Sequence, residues 1–157
     1  MRPVLLLAVV LFAAACGAPP ATQQAPRALE VQDAWAAPTP GGVDVAAGYL
    51  TIVNDSGADD RLMSATSPRA ERVEVHDMSF EGGVMRMRAV EDGLAVPAGT
   101  MVALEPGGQH LMFHGVRAPF AEGERIPVTL KFAQAGDVSV ELPVQRAAAA
   151  APAHVGH

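Results

Sequence analysis

Thioether and imidazole side chains crowd into one stretch of this chain. It opens with His76-Asp77-Met78, passes through Met85-Arg86-Met87 and closes on His110-Leu111-Met112, with Phe113-His114 just beyond. Five of the seven methionines and three of the five histidines fall within or just past it, a concentration that marks the segment as donor-rich. Thioether sulfur and neutral imidazole nitrogen are the donors a soft ion prefers, and together they favour Cu(I). Zinc rarely takes a thioether, and calcium or magnesium demands carboxylate oxygens. A thioether carries no proton in the working pH range, so its binding survives mild acid better than a thiolate's.

Positioning these donors requires strands, because residues two apart on a strand point the same way. Met85 and Met87 then share a face of one expected strand. His110, Met112 and His114 share a face of another, and His76 lies toward the end of a third. The third strand turns through Gly82-Gly83 into the Met85/Met87 strand, so a sandwich can gather the donors at one rim. Alternation of apolar and polar residues places strands over residues 29–35, 45–53, 62–65, 72–78, 84–90, 94–96, 101–104, 110–114, 126–132 and 138–144. On the first, Leu29, Val31, Asp33 and Trp35 are expected on one face. Breaks fall at Pro38–Gly42, Asn54–Gly57, Pro97–Gly99 and Pro106–Gly108. No stretch carries a sustained helical period. The fold class expected is all-β, an antiparallel sandwich of Greek-key type.

Length and composition set the bounds. The chain has 157 residues, one domain's worth, and both ends lack strand periodicity, which leaves 29–146 as the folding unit. Half the residues are hydrophobic but aromatics are few, so the core must be built mainly from Val, Leu, Ile and Ala. The net charge of −6 comes without a basic patch, which argues against nucleic acid and against electrostatic binding to anionic lipid. The single cysteine, Cys16, excludes an internal disulfide, a zinc finger, a CxxC centre and the thiolate of a blue-copper site.

Residues 1–15 read as an export signal: Arg2, an apolar run over 4–12 too short to span a bilayer, then Ala13-Ala14-Ala15 ahead of Cys16. Small residues before a cysteine resemble the bacterial lipoprotein signal, with Cys16 as the lipidated residue; the alternative is ordinary signal-peptidase cleavage near Ala15. Residues 16–28 form a Pro/Ala/Gln tether, and 147–157 a low-complexity tail ending in His154 and His157. These two histidines are candidates for a second site that would take Cu(II), which favours imidazole.

The metal candidates are His76, Met87, His110 and Met112, with Met85, Met78 and His114 as auxiliary ligands. Taken singly, each methionine could be core filler, and Met63 and Met101 are read that way. The combination of His110-x-Met112 on one face with His76 and Met87 favours a metal site. No acid–base pair, thiolate or second cofactor motif accompanies the cluster, so an enzyme is not expected.

His76, ten residues, Met87, then His110-x-Met112 resembles the motif of the periplasmic PCu(A)C copper chaperones. Further likeness lies in Gly83-Val-Met-Arg-Met-Arg88, in Leu104-Glu-Pro-Gly-Gly-Gln-His-Leu-Met112 and in Val128-Thr-Leu-Lys-Phe132 closing on Ala135-Gly136. The resemblance covers about residues 29–144. Met87 and His110 enclose twenty-two residues, one more than the family's usual spacing; the extra residue is expected in the 91–100 loops, where it flips neither strand face. The resemblance implies a cupredoxin-like β-sandwich that binds one Cu(I) through His76, Met87, His110 and Met112. It also implies delivery of copper toward the binuclear centre of cytochrome c oxidase, with the oxidase copper subunit and Sco-type proteins as partners. Two other readings remain open: an envelope copper-buffering or resistance protein without a dedicated acceptor, and a metal-free scaffold sandwich.

Overall fold

A computed structural model describes residues 29–146. The expected export signal, the tether with Cys16, and the tail with His154 and His157 lie outside the described residues.

Ten strands make up the described chain: β1 (Glu30–Ala36), β2 (Val45–Asn54), β3 (Asp60–Thr66), β4 (Arg72–Glu81), β5 (Val84–Ala89), β6 (Leu94–Val96), β7 (Thr100–Leu104), β8 (His110–His114), β9 (Arg125–Phe132) and β10 (Gly136–Pro143). Strict alternation drives them. Along β2 every second residue from Ala46 to Asn54 is buried, while those between stay at least partly exposed. The strands pair in the order β1-β2-β8-β4-β3-β9-β10, with β5 added to β4, β6 to β3 and β7 to β2. Every strand pairing is antiparallel, and an isolated bridge from Ala36 to Val144 brings β1 back to the end of β10. The sheet therefore rolls onto itself around one core, the all-β sandwich expected.

That core is built from Leu50, Ile52, Leu62, Leu111, Phe113, Ile126 and Leu130 and their neighbours, and no described methionine is buried in it. Met63 and Met101, expected as filler, are 51% and 66% exposed. Met63 falls at a register irregularity between Leu62 and Ser64, and on β7 the inward position nearest the core goes to Leu104.

Two strands change partners midway along their length. β2 pairs with β8 through Val45–Gly48 and with β7 through Leu50–Asn54. β4 pairs with β8 through Arg72–His76, then runs on to Glu81 as a hairpin with β5. It is three residues longer than its alternation suggested, because Ser79, Phe80 and Glu81 find partners across the Gly82-Gly83 turn rather than a core to face.

β1 departs from its expected pattern. Asp33 takes a left-handed conformation (φ 50°) and the register slips between Gln32 and Trp35. Val31 faces inward opposite Ile52, but beyond this bulge Trp35 pairs with Tyr49 and faces outward. An extra residue reverses the side-chain phase downstream. The expectation of a common face for Val31 and Trp35 fails for that reason.

Gly48 sits where β2 crosses between Ala36 and Leu111. A Cβ there would lie 2.8 Å from Leu142 Cδ2 and 2.9 Å from Phe113 Cε2. Gly48→Ala should therefore lower unfolding free energy by about 1–3 kcal/mol, measured by denaturant titration.

Asp60 ties the β3 start to the β9–β10 turn. Its Oδ1 accepts from the backbone N–H groups of Arg61 (2.7 Å) and Gln134 (2.8 Å), and its Oδ2 from Ala135 (2.9 Å). Burial pushes this carboxyl up, but the backbone donors together outweigh it and hold it below the ordinary aspartate value. A depressed folded-state value gives stability that is complete above the unfolded carboxyl value and lost as pH falls through the folded one. Asp60→Asn should cost about 1–3 kcal/mol at neutral pH and flatten the acid limb of the stability–pH curve.

Candidate metal centre

Core packing decides which side chains reach the outer face of β2, β8 and β4. On β8, Leu111 and Phe113 are fully buried, so His110, Met112 and His114 must project the other way. On β4, Val73 and Val75 face inward, leaving Arg72, Glu74 and His76 outside. Register then sets neighbours: His76 lies opposite His110, Glu74 opposite Met112, and Arg72 opposite His114. From the other side β2 places Ala47 against Met112 and Val45 against His114. The small Ala47 leaves the thioether uncrowded on that flank.

The β4–β5 hairpin brings the remaining sulfurs onto the same face. Met78 pairs with Met87, Phe80 with Met85 and His76 with Ala89. His76 and Met87 are thus diagonal neighbours, roughly 7–8 Å apart by backbone and within reach of a long side chain. Met87 is 46% exposed and Met85 58%. The structure gathers His76, Met87, His110 and Met112 on one surface, with Met78 and His114 adjoining and Met85 farther out along the hairpin. The gathering place is this outer sheet face, extended by the hairpin, rather than a rim of the sandwich. Because both registers keep Met87 and His110 on the face of His76, the longer Met87–His110 spacing disturbs neither strand.

The imidazoles are oriented by specific acceptors. His110, 3% exposed, donates from Nδ1 to the Gly108 carbonyl at 3.1 Å, so the lone pair of the neutral ring lies on Nε2. The same carbonyl accepts the backbone N–H of Met78 at 3.3 Å, tying the 105–108 turn to the hairpin. His76 Nε2 lies 3.1 Å from Glu74 Oε2; with that N–H donating, the ring's lone pair is on Nδ1, which is buried and unpartnered. An imidazole held by a carboxylate or carbonyl through one nitrogen is prepared to ligate through the other. The ring centroids of His76 and His110 are 6.0 Å apart.

Three groups at the site were not singled out by sequence reasoning. Glu74 is the most consequential: its Oε1 pairs with Arg72 Nε at 2.9 Å and its Oε2 approaches both His76 and His114. The hydrogen bond from His76 holds the Glu74 carboxyl below its ordinary value; burial opposes this, and the charges of Arg72, His114 and His76 add to it. A carboxylate therefore stands beside the neutral donors. The signal was present, since Glu74 and His76 are two apart on one strand, but only pairing with β8 adds His114. Tyr49 and Trp35 form the other flank, stacked at 4.4 Å with Tyr49 6.4 Å from the His110 ring. Burial pushes the Tyr49 phenol up, so it stays neutral. This wall depends on the Asp33 bulge, which alternation did not reveal.

Comparison with known proteins bears on the family and the fold. Residues 29–144 match a family described as "Putative lipoprotein LpqE-like". The "Putative lipoprotein Lxx21020" of Leifsonia xyli subsp. xyli (strain CTCB07) is 29% identical over 150 residues, spanning 92% of this chain and 89% of that protein. Among solved structures, the copper-bound PCuAC domain from PmoF2 superposes with a TM-score of 0.63 at 23% identity, covering 75% of this chain and 92% of that one. The solution structure of Cu(I)-DR1885 from Deinococcus radiodurans superposes with a TM-score of 0.60 at 27% identity, covering 78% and 83%. The chain belongs to the LpqE-like family and carries the cupredoxin-like sandwich fold of the PCuAC domains.

Proposed function

We propose that this protein is an exported copper chaperone that binds one Cu(I) through His76, Met87, His110 and Met112. The observation that carries the reading is the convergence of two registers on one face: His76 opposite His110 with Met112 beside them, and Met87 brought in by the hairpin. Ring lone pairs at His110 Nε2 and His76 Nδ1, left free by hydrogen bonds at the opposite nitrogens, supply the nitrogen donors. Two imidazoles and two thioethers make a soft neutral set matched to Cu(I). The likeness to Cu(I)-DR1885 supports the same ion.

Exposure favours transfer over storage. Met87 sits half-exposed on a hairpin outside the core, where an incoming acceptor can replace it one bond at a time. A buffering protein gains from enclosing its ion, which is the alternative reading. Among the described residues the site pairs a buried His110 with the half-exposed Met87, an arrangement that suits a carrier. The acceptor proposed is the binuclear copper centre of cytochrome c oxidase, with its copper subunit and a Sco-type protein as partners. Lipidation at Cys16 would hold the domain at the membrane carrying that acceptor, and the family's description as a lipoprotein supports an anchor. The 16–28 segment would then be the spacer.

Anaerobic titration with Cu(I) against a chromogenic competitor tests the site. Binding should be one to one, with His76→Ala and Met112→Ala each weakening it by about tenfold or more. Weak binding unchanged by either substitution would overturn the proposal. Mixing the loaded protein with the soluble copper domain of the oxidase subunit separates chaperone from buffer: a chaperone empties into it, and a buffer keeps its ion.

A further inference from the structure

Glu74, His76 and His114 form a cluster of their own. One donor atom from each lies within 4.8 Å of the others, and the three side chains are 34%, 13% and 28% exposed. Glu74 Oε2 is 3.1 Å from His76 Nε2 and 3.2 Å from His114 Nε2. The second contact is short, yet its angle is not that of a hydrogen bond, and His114 Nε2 is buried without a partner. Donors about 2.0–2.2 Å from one ion sit about 2.8–4.4 Å from each other, so these spacings suit neighbouring ligands on one metal. The other carboxylate oxygen is occupied by Arg72, leaving Oε2 to serve as a single donor.

We propose that Glu74, His76 and His114 are a second, overlapping coordination set, one that takes Cu(II). Two nitrogens and an anionic oxygen, with a coordination position left for water, are the donors the oxidised ion favours, and thioether is not among them. Cu(II) takes His76 Nε2 when the ring's proton moves to Nδ1, so the ring stays neutral and Glu74 Oε2 is freed to ligate. A neutral His76 ring offers one lone pair, at Nδ1 for Cu(I) or at Nε2 for Cu(II), so the reduced and oxidised ions compete and cannot both be held. This site is distinct from the tail histidines, His154 and His157. It shares His76 with the Cu(I) set proposed above, but its donors, its ion and its test differ.

The test is Cu(II) titration of the full mature chain carrying His154→Ala and His157→Ala, read by electron paramagnetic resonance and by competition with a chelator. One Cu(II) should bind with superhyperfine structure from two nitrogens. His114→Ala should reduce the coupling to one nitrogen and lower affinity by about tenfold or more. Glu74→Gln, nearly isosteric and still able to accept from His76, should lower Cu(II) affinity while keeping both nitrogens. Met112→Ala should weaken Cu(I) far more than Cu(II), and protein preloaded with Cu(I) should take up no Cu(II) here. Circular dichroism of each apo variant checks the fold. Cu(II) spectra and affinity indifferent to both His114→Ala and Glu74→Gln would overturn the proposal, as would equal losses of Cu(II) from Met112→Ala and His114→Ala. Failure of Cu(I) binding alone would count against the chaperone reading and leave this set standing.

Discussion

The antiparallel register between β4 and β8 is the constraint on which the site depends. Val73, Val75, Leu111 and Phe113 are buried beneath it, and their burial fixes the phase of both strands. A slip of β4 by one residue would exchange its faces, sending Glu74 and His76 into an apolar core and Val73 and Val75 into water. Apolar burial is worth about 1.5–3 kcal/mol per large side chain, so that slip is strongly disfavoured. The metal ligands contribute little to this choice. They are held in place by residues that never touch the ion.

Around that register the chain divides its labour between rigid and accessible parts. His110 and Met112 belong to a strand flanked on both sides, and His110 is further fixed by the Gly108 carbonyl. His76 is shared between the flanked part of β4 and the hairpin, and Glu74 holds its ring. Met87 lies out on the hairpin, paired only with β4. Such a gradient suits an ion that must be gripped in transit and released on contact: two donors anchored, one steered, one open to exchange. Glu74 adds a harder oxygen beside the soft set, the feature on which the proposed Cu(II) coordination rests.

Much of this was legible in the chain itself. Alternation over 110–114 and 72–76 named the outer faces correctly, and the Gly82-Gly83 turn named the hairpin that delivers Met87. Other features were not, for reasons of physics. The Asp33 bulge inverts the phase of β1 without a glycine to announce it, so Trp35 was assigned beside Val31 when it packs on Tyr49. The exposure of Met63 and Met101 depends on which strand neighbours claim the core, a tertiary outcome. Glu74 looked like an ordinary solvent-facing charge until pairing with β8 put two imidazoles against one of its oxygens.

The central claim is that two thioethers and two imidazoles on this face hold Cu(I). X-ray absorption at the copper edge, on the anaerobic protein loaded with one equivalent of Cu(I), reads the donors directly. The account predicts a mixed shell of sulfur and nitrogen, with sulfur lost in stages on Met87→Ala and Met112→Ala. A shell of nitrogen and oxygen alone, unchanged by either substitution, would contradict it and remove the methionines from the site.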